Sequence, residues 1–153
     1  MERTFVMLKP DTLQRGIVGE VISRLEKKGL KLIAMKMIKL NDDILKEHYK
    51  HHLDKPFFPN LLNFMKSGPV IATVWEGKDA VTVVRKVVGK TNGREAEPGS
   101  IRGDYSMSVS KNIIHASDSV ETAEIEIKRF FNDNELIEWE RIMDKFVYSE
   151  DEL

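Results

Sequence analysis

Apolar positions along this chain recur at two spacings, and the switches between them mark its elements. Residues 3–9 (RTFVMLK) form a short apolar run flanked by charge, which predicts a buried strand ended by Pro10. Ile17, Val18, Val21, Ile22 and Leu25 then recur at helical spacing, and Gly29 is placed to close that helix from the C′ position. Residues 30–38 (LKLIAMKMI) are apolar on both faces and predict a strand covered on both sides, in part by another subunit. Residues 42–50 predict a short polar helix, and Leu61, Leu62 and Met65 a second one between Pro59 and Pro69. Residues 70–75 (VIATVW) predict another strand. Residues 78–88 fit a helix that turns inward either Ala80, Val84 and Val88 or Val83 and Val87, with Gly89 as its stop.

Residues 90–104 (KTNGREAEPGSIRGD) have no clear period, and a loop of that length in a compact domain is usually functional or disordered. A short strand is expected around Met107 to Val109. Asp118 followed by Glu121 has the spacing of a capping box, and Val120, Ala123, Ile127 and Phe130 mark one face of the helix it would start. The tail after residue 132 has a weaker pattern, with Leu136, Trp139, Ile142, Phe146 and Val147 as expected anchors. The order resembles βαββαβ with additions, an α/β (α+β) layout in which an antiparallel or mixed sheet is covered by helices. No internal repeat or second domain is visible, so residues 1–153 are read as one domain.

Composition narrows the function classes. Apolar residues make up 41% and charged residues 32%, with a formal net charge of −1 and no cysteine. Thiolate metal sites, disulfides and thiol nucleophiles are thereby excluded. The balanced charge gives no support for dedicated nucleic-acid binding, which usually carries a positive excess. Basic residues predominate through residue 117 and acidic ones after it, which fits a solvated acidic face at the C-terminal end. The start (MERTFVMLKPD) does not read as a secretory signal, and no run approaches membrane-spanning length, so a cytoplasmic location without membrane association is expected.

Two groups of residues carry candidate chemistry. Arg85, Lys86, Lys90, Arg94, Arg102 and Lys111 cluster around the long loop, where guanidinium groups could hold phosphate oxygens or simply be solvated or ion-paired. His48, His51 and His52 have spacings that zinc ligands can show, but the acidic partner of a zinc hydrolase motif is missing. A neutral imidazole is a good nucleophile near pH 7, yet His115, alone between an apolar pair and a helix start, could equally be a packed histidine. Neither GxxxxGK[ST] nor GxGxxG is present, so any nucleotide must be held by other means.

The segment NIIHASDS at residues 112–119 resembles the active-histidine signature of the nucleoside diphosphate kinase family. The likeness continues in RTFVMLKPD at 3–11, QRGIVGEVI at 14–22, KPFFPNL at 55–61, SGPVIATVWEG at 67–77 and EPGSIRGD at 97–104, in the family's order. It implies a ferredoxin-like domain with an extra helical pair and a protruding loop. It implies reversible ping-pong transfer of a γ-phosphoryl group between nucleoside tri- and diphosphates, ATP among them, through a phosphohistidine at His115 formed on its δ nitrogen. On the matching positions, Glu126 would orient the imidazole, Ser117 would assist that carboxylate, and Tyr49 would pack beside the histidine. Lys9 would reach the transferred phosphate and, with Asn112, the sugar 3′-hydroxyl. Arg85, Thr91 and Arg102 would hold the β- and γ-phosphates, and His52 the α-phosphate. Phe57 and Val109 would sandwich the base; a ring and an alkyl group offer no donor pattern, so tolerance of base and sugar identity follows. Mg²⁺ is the implied cofactor, carried by the nucleotide phosphates with no direct protein ligand, and Asp118 is expected to cap or fix the adjoining loop. The implied assembly is a homohexamer built from dimers, with a tetramer as the alternative. Two departures stand out: Gly93, where many eukaryotic-type relatives have proline, puts the loop's subunit packing in question, and Ala116 follows the histidine where glycine is common. A nucleotide- or nucleic-acid-binding regulatory module without catalysis and an oligomeric scaffold remain competing readings at this point.

Overall fold

The computed structural model describes residues 1–153. Its first half runs β1 (Glu2–Leu8), α1 (Pro10–Gln14), α2 (Val18–Lys28), β2 (Lys31–Ile38), α3 (Asp42–His48), α4 (Phe58–Met65) and β3 (Val70–Gly77). Then follow α5 (Ala80–Val88), α6 (Ile101–Tyr105), β4 (Ile114–Ala116) and α7 (Val120–Phe130), with short 3-10 turns in the tail. The four strands pair antiparallel in the order β2-β3-β1-β4, with helices on both faces. This is the α/β, ferredoxin-like arrangement that the element order predicts, α3 and α4 being the added helical pair.

Because β1 is central and covered on both sides, it reads as one continuous apolar run. Phe5 and Met7 join a core of Val74, Leu45, Met65 and Phe130 on one face. Val6 and Leu8 join Trp75, Val21, Leu25 and Val84 on the other. All four β1 side chains are fully buried. Gly29 ends α2 at φ 110°, a left-handed conformation that suits a residue without Cβ. In α5, Ala80, Val84 and Val88 are buried together with Val81, while Val83 and Val87 are not, which decides between the two inward faces the sequence allows.

Several expectations change. β2 is not covered on both faces within the chain: Ile33 and Ala34 are buried, but Met35 and Met37 are 54% and 62% exposed beyond a register irregularity at Leu32/Ala34. Residues 107–109 form no strand. The Ser108 hydroxyl accepts from the backbone N–H groups of Ser110 and Lys111, which bends the chain away from a ladder. The fourth strand is instead Ile114–Ala116, and the long loop ends in α6, capped by Ser100, whose hydroxyl accepts from Gly103 N–H. The cap of α7 is Ser119, accepting from Thr122 N–H, rather than Asp118, because the serine is the residue with extended backbone directly before the first turn. Val120 stays 46% exposed, and Glu126 joins Ala123, Ile127 and Phe130 on the buried face.

The tail straps the end of the sheet by hydrogen bonds rather than by its apolar side chains. Ile137 N–H donates to Ile33 O and Trp139 Nε1 to Leu32 O, while Arg141 donates to Gly29 O and Leu30 O. Of the expected anchors, Leu136 packs on the core, whereas Ile142 and Phe146 are 79% and 73% exposed. No helix is long and apolar enough to cross a membrane.

Gly93 is fixed by close packing in the long loop. Its N–H donates to Ser108 O at 3.2 Å, and a Cβ there would come within 2.2 Å of Ser106 O. Proline at this position loses the hydrogen bond and collides with backbone. Gly93→Pro is therefore expected to cost about 2–4 kcal/mol and lower Tm by roughly 5–10 °C in a thermal melt. An unchanged Tm would show that the loop relaxes freely.

Candidate active site

Sheet register decides where His115 points. Met7 pairs with His115 and Leu8 with Ile114 across β1 and β4, so His115 lies on the Met7 face of the sheet while Ile114 and Ala116 enter the opposite core. On the Met7 face, α7 lies over β1, bringing Glu126 opposite the histidine, and α3 brings His48 and the following Tyr49 alongside. His115 Nε2 sits 2.9 and 3.0 Å from the two Glu126 oxygens. A carboxylate accepts, so Nε2 carries the proton and Nδ1 keeps its lone pair. Ser117 Oγ donates to Glu126 Oε1 from behind. Burial by itself would raise the Glu126 carboxyl, but the hydrogen bonds from His115 and Ser117 and the nearby imidazoles hold it below its usual value. The carboxylate is thus ionised, buried and aimed.

The chain reaches this strand through a strained turn. Ile113 has φ 76°, rare for a β-branched residue, and Ile114 N–H donates to Asn112 O across it, as in a γ-turn. Neighbouring groups hold it from all sides. Asp11 accepts from Ile113 N–H, Thr12 Oγ1 and Lys9 N–H both donate to Ile113 O, and Arg102 donates to Asn112 O and Ile114 O. The strain aims the Asn112 side chain and starts β4 at the residue before His115.

A cavity of about 760 Å³ opens over His115. It is lined by every residue to which the family resemblance gives a nucleotide or catalytic role except Ser117, which is buried behind Glu126; of the basic cluster around the long loop, Arg85, Arg102 and Lys111 line it, whereas Lys86, Lys90 and Arg94 do not. Lys9, at the end of β1, is buried and donates to Asn112 Oδ1 at 2.6 Å, while Asn112 Nδ2 donates to Thr91 O. Arg102 spends its donors on the carbonyls of Gly89, Asn112 and Ile114, and Arg85 on that of Ala116. Neither arginine has a carboxylate partner, which removes the structural ion-pair reading. Burial, then the charge of Arg102, lowers Lys9 to about 8; burial, then Arg85, lowers Arg102 to about 10. Lys9, Arg102 and Arg85 bring three cations together, with Asp11 near Lys9 but no carboxylate in salt-bridge contact with any of them, and form a cradle that a polyphosphate would complete.

The outer walls are apolar or aromatic. Phe57 and Val109 line the mouth and remain 49% and 50% exposed, so they are not the core residues their types suggest. His52 lies 5.1 Å from the Phe57 ring and stacks on Tyr49. Tyr49 is buried with its Oη unpartnered, and burial pushes its hydroxyl pKa up, keeping it a neutral donor.

The three clustered histidines separate. His51 and His52 contact each other at the mouth, with ring centroids 3.9 Å apart, whereas His48 is buried 4.7 Å from the His115 ring. His48, His115 and Glu126 do place ligand-type atoms within 4.8 Å of one another. Glu126 already accepts from His115 and Ser117, and His48 Nδ1 accepts from Arg129 at 2.8 Å, so the one lone pair left free on the two imidazoles is that of His115 Nδ1. That is a hydrogen-bond chain rather than a metal centre. Arg129 is the residue that sequence reading missed, and His48, read there only as one of three histidines with zinc-ligand spacing, has a different place; no spacing links α3 to α7, and only their proximity to Tyr49 and Glu126 hinted at it.

Comparison with known proteins bears on this geometry. The nucleoside diphosphate kinase family model matches residues 2–136. The nucleoside diphosphate kinase of Parabacteroides distasonis is 57% identical over 152 residues, covering 99% of both chains. That of Archaeoglobus fulgidus is 54% identical over 150 residues, covering 98% of this chain and 99% of its own. Among solved structures, the halophilic nucleoside diphosphate kinase of Halobacterium salinarum in complex with CDP superposes with a TM-score of 0.94 at 48% identity, covering 97% of this chain and 99% of that one.

Proposed function

The chain belongs to the nucleoside diphosphate kinase family, phosphotransferases that work through a histidine intermediate, and on that premise we propose that His115 is the carrier and that one cavity serves donor and acceptor in turn. The observation that carries this reading is the His115–Glu126 pair, which leaves Nδ1 as an unprotonated nucleophile beside an unpaired cationic cradle. Nδ1 forms a bond to the γ-phosphorus of a nucleoside triphosphate while the bond to the β–γ bridging oxygen breaks and its electrons leave with the diphosphate. Glu126 stabilises the positive charge that develops on the imidazole. A second diphosphate then attacks the phosphohistidine through a terminal β-phosphate oxygen, and the N–P electrons return to Nδ1.

Lys9, Arg85, Arg102 and Thr91 hold the phosphates that carry charge in transfer, and His52 reaches the α-phosphate. Asn112 and Lys9 take the 3′-hydroxyl, Tyr49 offers its unpaired hydroxyl beside the phosphorylated ring, and Ser117 steadies Glu126. Phe57 and Val109 clamp the base by area alone, so purine and pyrimidine, ribo- and deoxyribonucleotides are all accepted.

Nucleotide binding in this family depends on Mg²⁺. The fit to this site follows from its carboxylates: Glu126 is committed to His115 and Ser117, and Asp118 is the one other on the cavity lining. Mg²⁺ would therefore enter with the nucleotide, with Asp118 as the free carboxylate near enough to help hold it, and would supply neutralisation of phosphate charge.

Residues 1–153 act as one domain, and the exposed Met35 and Met37 on β2, with Ile142 and Phe146 of the tail, are surfaces suited to a homohexamer built from dimers. A hexameric mass in analytical ultracentrifugation is expected; a monomer would remove the assembly reading. The catalytic reading is tested by incubating the folded protein with γ-phosphate-labelled ATP and Mg²⁺. The expected product is an acid-labile, base-stable label on His115. Nucleotide binding without label or exchange would favour a regulatory module instead.

A further inference from the structure

The site holds a second buried histidine whose protonation is dictated from outside the cavity. His48 is 5% exposed, and its ring meets His115 edge-on at 4.7 Å. Its Nδ1 lies 3.6 Å from Glu126 Oε2, close enough to compete with His115 for that carboxylate if Nδ1 carried a proton. Arg129, one turn along α7 from Glu126, prevents this. Its side chain is 8% exposed, and its guanidinium, which can only donate, sits 2.8 Å from His48 Nδ1. Nδ1 must therefore accept. The proton of a neutral His48 is confined to Nε2, an atom buried without a partner in the chain. Burial, then the neighbouring His115 imidazole, also lowers His48 to about 3 and keeps it neutral. His48 and Glu126 are near each other without being an ion pair.

We infer that Arg129 is a positioning residue for phosphoryl transfer: by occupying His48 Nδ1 it fixes that ring as the Nε2–H tautomer and reserves both Glu126 oxygens for His115. Without the guanidinium, the His48 proton can move to Nδ1 and donate to Glu126 Oε2. His115 then shares its orienting carboxylate, and the fraction of molecules with a free Nδ1 lone pair on His115 falls. Glu47 lies 3.5 Å from Arg129 Nε at the solvent side and balances its charge outside the network. This rests on His115 being the phosphate carrier, but its first test does not require activity.

That test is the ¹⁵N chemical shifts of the imidazole nitrogens in the intact, unliganded protein. His48 is expected to show a protonated Nε2 and a bare Nδ1; a protonated Nδ1 or an imidazolium at neutral pH overturns the inference, whatever the labelling of His115 shows. Arg129→Met, which keeps the apolar stem, is expected to shift His48 toward the Nδ1–H form and to lower kcat about 3–10-fold with KM for the nucleotide unchanged. Arg129→Lys retains one donor and is expected to restore the wild-type tautomer and most of kcat. In a His48→Asn background, Arg129→Met is expected to add no further loss. An unaltered His48 tautomer in folded Arg129→Met, or an equal loss in the His48→Asn background, would show that Arg129 acts only as packing.

Discussion

His115→Asn is expected to lower nucleotide exchange by on the order of 10⁴-fold or more while the fold and assembly persist. The size follows from the chemistry. The transfer reaction is split into two displacements at one nitrogen, and the other candidate nucleophiles on the cavity are engaged or displaced from the cradle: Lys9 is bonded to Asn112, His48 Nδ1 to Arg129, the Tyr49 hydroxyl is held protonated, and His51 and His52 stand at the mouth beside Phe57. Persistence of the fold follows from position. His115 lies at the cavity edge with 23% of its side chain exposed, whereas the adjoining Ile114 and Ala116 carry the packing of β4. The check is a coupled exchange assay beside a thermal melt and γ-phosphate labelling. Residual exchange within a hundredfold of the unaltered protein, or undiminished label, would end the assignment of the carrier.

Lys9→Met is expected to lower kcat by about 10²–10³-fold, the scale for removing one preorganised charge from a developing anion, and to stabilise the protein at the same time. The second effect has a definite sign. Burial lowers Lys9 to about 8 in the fold, from an ordinary value of 10.5. The unfolded chain therefore binds more protons between pH 8 and 10.5, and stability rises across that window. Below pH 8 the folded protein carries a buried charge at a cost of roughly 3 kcal/mol, which methionine removes. Denaturant unfolding at pH 7 and at pH 10.5 should show the gain at the lower pH and little at the higher. The same depressed value predicts that kcat/KM of the unaltered enzyme falls as pH rises through about 8, a limb absent from Lys9→Met. Lower stability of Lys9→Met at pH 7, or an alkaline limb identical in both proteins, would contradict this account.

The opposed signs express a general feature of the cavity. Lys9 and Arg102 are buried as cations with no salt-bridge carboxylate, and Ile113 is held at positive φ. Each is unfavourable for folding by itself, and the cost is offset by the two apolar cores on either side of β1.

Local pattern made much of this legible before any coordinates. The strand at residues 3–9, the helix ended by Gly29 and the strand at 70–75 are contiguous, and periodicity reports contiguous burial. The errors fall where local and distant interactions compete. Met107 and Val109 look like strand residues, but serine side chains bend that stretch, and the ladder forms five residues later, where β1 offers an edge. Asp118 and Glu121 have capping-box spacing, but Ser119 has the backbone geometry to cap. Ile142 and Phe146 look like anchors, but the tail is fastened through Trp139, Arg141 and backbone groups.

The sequence by itself determined the family, the carrier histidine, the cations around it and the apolar pair at the cavity mouth, because each is written in short segments whose residue types have few other uses together. Only the tertiary structure decided how they act. The pairing of Met7 with His115 selects the face on which the imidazole emerges, Glu126 fixes which nitrogen is free, and Arg129 meets His48 across 81 residues. Those contacts depend on strand register and helix packing, which arise from the whole core at once and leave no trace in any single stretch of the chain.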